Sequence, residues 1–224
     1  MNALLFRAAF WNLFALFVFS AIDPARAGEV RGWVDSPEEP RMRRQTRQYA
    51  TPAHSQAGPR PEPRAVIYLE NEKTASMPLR ANATGELQQK DLQFIPPILP
   101  IQVGGAVSFP NLDSTFHNVF SYSPAKTFDL GRYKKGEAPP VQTFETPGVV
   151  QVFCEVHEHM RATILVLETP FYTTAAPDGA FSIPDVPRGK YRLVIWNNPR
   201  DQQTVEVEVK SGEPLVLDLR KSPP

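Results

Sequence analysis

Gly148-Val-Val-Gln-Val-Phe-Cys154-Glu-Val-His157-Glu-His-Met160 passes from an apolar stretch into a cluster of soft ligands. Its first half is rich in the β-branched and aromatic residues that fill a pleated, half-buried strand. Its second half holds the only cysteine of the chain, two of the four histidines and one of the four methionines. Thiolate, imidazole and thioether are the donors that select copper among biological metals. A lone cysteine in an exported chain pairs with another chain, stays a free and oxidisable thiol, or is held by a metal.

Export is what the start of the sequence predicts. Residues 1–27 have Arg7 as an n-region charge, then an apolar run from Phe10 to Ile22, then Ala25-Arg26-Ala27 with small residues where a signal peptidase reads. The apolar run falls short of the roughly 20 residues that span a bilayer. The expectation is therefore a cleaved signal peptide and a mature periplasmic chain from about Gly28, with no membrane insertion; an uncleaved anchor is the alternative. Removing Arg7, Asp23 and Arg26 takes 24 basic and 24 acidic residues to 22 and 23. Such a balance gives no electrostatic footprint for nucleic acid.

The 24 prolines, and the short Val, Ile, Phe, Tyr and Thr runs between Gly, Pro, Asn and Asp, predict an all-β protein. Strands are expected at 28–34, 65–70, 87–94, 101–109 with a turn at Val103-Gly104-Gly105, 117–122 and 128–131. Val141–Glu145 and Val149–Phe153 read as a hairpin across Thr146-Pro147-Gly148, and Ala162–Leu167 follows the cysteine loop. Residues 35–63 lose the alternation, hold six prolines and carry Arg41, Arg43, Arg44 and Arg47, so they read as an extended, solvated loop that includes His54. After Thr169, Pro177-Asp178-Gly179 and Pro187-Arg188-Gly189 mark turns between further strands. Among these, Val205-Glu-Val-Glu-Val209 predicts one wet and one buried face.

A copper centre for electron transfer needs donors acceptable to Cu(I) and Cu(II): two imidazoles and a thiolate, with a weak axial thioether. Cys154, His157 and Met160 are three residues apart, so one tight loop can turn all three inward. His117, 37 residues upstream, is the candidate fourth ligand. Asn118 beside it is placed to tie the two ligand segments and to donate toward the sulfur. His117 alone would be an ordinary strand histidine and Met160 ordinary core filling; it is their conjunction with the cysteine that points to copper. His159 is expected to point outward.

Val107-Ser-Phe-Pro-Asn-Leu-Asp113, His117-Asn-Val-Phe and the stretch 148–160 together resemble the plastocyanin and amicyanin branch of the cupredoxins. The likeness is strongest to plastocyanin-like proteins of methylamine utilisation, and it covers about residues 84–168. It implies a Greek-key β-sandwich and one mononuclear type 1 copper at His117, Cys154, His157 and Met160. It also implies one-electron transfer through the edge of His157, with a redox partner such as a c-type cytochrome or a quinoprotein dehydrogenase. Glu158 departs from the proline often found there, and Glu155 and His159 make the rim more polar.

Thr173-Thr174, Asp178-Gly179-Ala-Phe181, Val186-Pro-Arg-Gly189-Lys-Tyr191 and Leu193-Val194 resemble a carboxypeptidase-regulatory-like, transthyretin-like sandwich. Gly28-Glu-Val30 and Ala65-Val-Ile-Tyr-Leu69 resemble its opening strands. The implied organisation is discontinuous: an accessory sandwich from 28–70 and 169–219, with a cupredoxin of residues 71–168 inserted and a tail at 220–224. An extracytoplasmic blue copper protein carrying single electrons, not an enzyme, is the leading expectation. A periplasmic copper carrier using the same ligands is the alternative.

Overall fold

The computed structural model describes residues 27–35, 58, 61–80 and 83–221. The expected signal peptide, the arginine cluster and His54 lie outside the described residues. Among the described residues no helix is long and apolar enough to cross a membrane.

The fold is all-β, and among the described residues the one helical element is a 3-10 turn at Thr74–Ser76. The strands are β1 (Ala27–Trp33), β2 (Val66–Glu70), β3 (Thr84–Glu86), β4 (Gln88–Lys90), β5 (Gln93–Ile95), β6 (Ile98–Gln102), β7 (Ala106–Ser108), β8 (His117–Ser123) and β9 (Lys126–Tyr133). They continue with β10 (Val141–Thr143), β11 (Gly148–Phe153), β12 (Arg161–Leu167), β13 (Tyr172–Thr174), β14 (Ala180–Pro187), β15 (Gly189–Asn198), β16 (Asp201–Val209) and β17 (Leu215–Asp218).

Two sandwiches result. The first faces the five-stranded sheet β6-β12-β11-β8-β9 with the three-stranded sheet β10-β7-β3, and the β4-β5 hairpin stands beside them. Its core contains Phe94, Phe109, Phe128, Phe144, Val150, Val152 and Ile164, together with Cys154 and Met160. The second is built from β14-β1-β17 and β13-β2-β15-β16, so strands from both ends of the chain share its sheets. Val30, Ile67, Leu69, Phe171, Ile183 and Leu193 fill its core.

The apolar run of β12 is explained by what lies on its two sides. Ile164 and Val166 face the first core, while Leu165 and Leu167 meet Val66, Ile98 and Trp196 in a third cluster. A strand covered on both faces loses the apolar–polar alternation of a half-wet strand. This third cluster seats the sandwiches against each other. β16, covered on one face, keeps its alternation: Val205 and Val207 are half-buried, and Glu206 and Glu208 are exposed.

Two expected elements differ. Residues 87–94 do not form one strand. Asp91 and Leu92 both take positive φ (55° and 57°), and the chain folds back so that Lys90 pairs with Gln93. Two successive left-handed residues make the tight hairpin whose twist matches that of its strands. Val141–Glu145 and Val149–Phe153 do not pair with each other either. β10 pairs with β7, and β11 pairs with β12 and β8. Phe144 is fully buried between the layers, and Thr146-Pro147-Gly148 carries the chain across from one sheet to the other. The turn at Val103-Gly104-Gly105 is present as expected, and it separates β6 from β7, which join opposite sheets.

Candidate metal centre

Strand register brings the two ligand segments together. Phe153 at the end of β11 pairs with Phe120 of β8, which sets Cys154 beside His117 at the start of β8. Phe153 also pairs with Arg161, so residues 154–160 form a loop closed by paired strands. Two backbone bonds tighten it: Met160 N–H donates to His157 O (2.9 Å), and Cys154 N–H donates to Met160 O (3.3 Å).

His117, Cys154 and His157 converge as a possible metal-holding group. His117 Nδ1 and His157 Nδ1 are 3.0 Å apart, and Cys154 Sγ lies 3.8 Å from the first and 3.9 Å from the second. In this triangle the point equidistant from the three atoms is about 2.1 Å from each, within the ~2.0–2.3 Å of first-row metal bonds to imidazole and thiolate. The donor set therefore fits a single metal ion. Without one, two Nδ1 atoms at this separation need a proton between them.

His117 is fully buried, Cys154 is 4% exposed and His157 is half-buried. Met160 is 1% exposed and packs in the same core as Cys154.

Electrostatics prepare the thiolate. Burial pushes the Cys154 thiol up, but its contact with His117 Nδ1 and the backbone N–H groups of Asn118, His157 and Val156 outweigh it and hold its pKa below the ordinary thiol value. Burial acts against charging His117, yet its bonds to Cys154 and Asp113 leave its pKa raised. Burial, then the nearby His117 and His159, depress that of His157.

Asp113 closes the stretch Val107–Asp113, and the sequence alone assigns it no role. Its Oδ2 accepts from His117 Nε2–H at 2.9 Å, which fixes the proton on Nε2 and turns the Nδ1 lone pair toward the triangle. Asn111 braces the segment: its Nδ2 donates to Thr115 O and Tyr133 O (both 3.0 Å), and its Oδ1 accepts from Asp113 N–H. A carboxylate four residues before a candidate ligand histidine is the signal that could have found it.

Asn118 acts differently from expectation. Its Nδ2 donates to Asp129 Oδ1 (2.6 Å), tying β8 to β9, and it is the backbone N–H that serves the sulfur. His159 does not simply point to solvent: it is half-buried, and its Nε2–H donates to Leu92 O (2.9 Å). On the rim, Arg132 holds Glu155 with both Nε and an Nη, so that acidic charge is partnered.

A search of curated proteins found no match. A family profile described as "Polysaccharide lyase family 4, domain II" matches residues 154–215. Solved structures similar to this chain include a copper-containing nitrite reductase from Thermus scotoductus SA-01. It is 23% identical with a TM-score of 0.36, and the match covers 44% of this chain but only 27% of that one. They also include a purple cupredoxin from Nitrosopumilus maritimus, 23% identical with a TM-score of 0.33, covering 37% of this chain and 99% of that one. Amicyanin from Paracoccus versutus is 24% identical with a TM-score of 0.34, covering 45% of this chain and 97% of that one. It is the geometry of the centre that carries the functional reading.

Proposed function

We propose that this chain is a type 1 copper protein that carries single electrons outside the cytoplasm, as a carrier and not as an enzyme. The observation that supports this most is the triangle of His117 Nδ1, His157 Nδ1 and Cys154 Sγ, with sides of 3.0, 3.8 and 3.9 Å. Met160, buried in the same core as Cys154, would supply a further, weak thioether donor. Bound copper would supply a one-electron couple.

The residues do the rest. The buried wall at His117 and Cys154 excludes water from the centre. Asp113 keeps the His117 lone pair directed inward. Three backbone N–H groups, of Asn118, His157 and Val156, would steady a negative sulfur at Cys154. A donor set held by paired strands needs little rearrangement between states, which keeps the barrier to electron exchange low. The near-complete burial of His117 and Cys154 favours retention of the metal over handing it on as a copper carrier would.

The half-buried edge of His157 is the proposed port. Leu112, Phe116 and Val156 are 38%, 49% and 41% exposed on the segments bearing His117 and His157, and offer apolar contact to a redox partner such as a c-type cytochrome or a quinoprotein. We propose further that residues 71–168 form a cupredoxin domain inserted in an accessory sandwich made of 28–70 and 169–219. Voltammetry of the copper-loaded chain tests the reading: it should give one reversible one-electron wave, together with rapid exchange with a cytochrome. Copper transfer to a metal-free acceptor without such a wave would favour the carrier.

A further inference from the structure

The β4–β5 turn sits where no ligand is, yet its polar backbone is committed to the metal centre. Asp91 and Leu92 both have left-handed φ; Asp suits the first position of such a turn, but Leu92 stands where glycine is favoured. The conformation aims two successive N–H groups at one carboxylate. Asp91 N–H donates to Asp113 Oδ1 (2.8 Å) and Leu92 N–H to Asp113 Oδ2 (3.0 Å). Paired backbone N–H groups of this kind form a small anion cradle.

The carboxylate so held is the one that accepts from His117 Nε2–H (2.9 Å). The turn's carbonyls are used as well. Leu92 O accepts from His159 Nε2–H (2.9 Å), and Asp91 O accepts from Gly58 N–H (3.1 Å). His159 stands in the loop that carries Cys154, His157 and Met160. The turn therefore grips both ligand segments: the His117 segment through Asp113, and the cysteine loop through His159. The Leu92 side chain packs against the first core, which anchors the turn.

We infer that the Asp91–Leu92 turn is a positioning clamp for the metal centre, with Asp113 and His159 as its two jaws. This inference rests on the copper reading for its purpose. Its geometry is also testable without metal.

The test compares the full-length chain with three single variants, Asp113→Ala, His159→Leu and His159→Gln, and with insertion of one glycine between Asp91 and Leu92. Long-range nitrogen–proton spectra of the metal-free proteins read the His117 tautomer. Competition of a chelator for Cu(II) reads affinity. At a pH above the His117 midpoint, where the imidazole is neutral, the clamp requires a single Nε2–H tautomer in the wild type, lost in Asp113→Ala and in the insertion. It also requires about 10–100-fold weaker Cu(II) binding in Asp113→Ala, His159→Leu and the insertion, the range for losing a group that orients a ligand. His159→Gln, whose amide can still donate to Leu92 O, should restore binding.

An insertion variant that folds and keeps both the tautomer and the affinity overturns the clamp and leaves the copper reading intact. A wild-type chain that shows the tautomer but fails to bind Cu(II) overturns the copper reading, and the tautomers of the variants still decide the clamp.

Discussion

His117 Nδ1 lies 3.8 Å from Cys154 Sγ, with the thiol's pKa held below and the imidazole's above their usual values. In the metal-free chain the two groups support each other's charge. Thiolate absorbance should therefore titrate below the ordinary cysteine value of about 8.5. In His117→Ala the midpoint should rise, because burial persists while the bond is lost. A midpoint unmoved by that substitution would contradict the account.

The same shift sets a pH dependence of stability. A depressed thiol pKa gives stability that is complete above the unfolded value of about 8.5 and is lost as pH falls through the folded value. His117, with its raised pKa, acts oppositely: its contribution is complete below about 6.5 and is lost as pH rises through its folded value. Urea unfolding of metal-free Cys154→Ser should lack the thiol's rise toward alkaline pH that the wild type shows.

Tyr133, opposite His117 in the sheet, donates to Phe109 O (2.7 Å) and accepts from Gln89 Nε2 (2.6 Å). Gln89 Nε2 also reaches Phe109 O (3.1 Å), so Tyr133→Phe leaves that carbonyl a partner. The expected cost is about 1 kcal/mol, the low end for a buried hydrogen bond broken from one side. Denaturant titration checks it.

Trp196, 4% exposed, belongs to the cluster between the sandwiches and not to the core that holds Cys154. Trp196→Ala should destabilise the chain by about 3–5 kcal/mol, yet leave the spectrum of the copper-loaded protein unchanged. A changed spectrum would mean that the interface helps to shape the centre.

Gly179 has φ +82°, and a Cβ there would lie 2.1 Å from Val34 O, backbone that directly follows β1. Gly179→Ala meets both the left-handed penalty of about 1–2 kcal/mol and a clash with backbone that cannot step aside. The loss of stability should therefore exceed that range in a thermal or urea melt.

The convergence of His117, Cys154 and His157 could be anticipated in the chain because donor type and spacing carry the chemistry: Cys154 and His157 share one loop, and His117 starts a strand. Strand positions were readable where one face is wet, as in β16. What escaped was set by tertiary contacts. Asp91-Leu92 lacks the glycine that completes the usual left-handed turn signal, so the stretch from Leu87 to Phe94 reads as one strand. Thr146-Pro147-Gly148 looks like a hairpin turn, but the burial of Phe144 sends β10 and β11 to opposite layers. The bond from Asn118 to Asp129 depends on the pairing of β8 with β9, which no local pattern records.

The most direct measurement is the visible absorption spectrum of the chain loaded with Cu(II), beside that of Cys154→Ser. A copper held by the Cys154 thiolate requires an intense thiolate-to-copper band in the wild type at one copper per chain, and its absence in the variant. A wild-type chain that stays colourless after loading, or a band that survives Cys154→Ser, would contradict it.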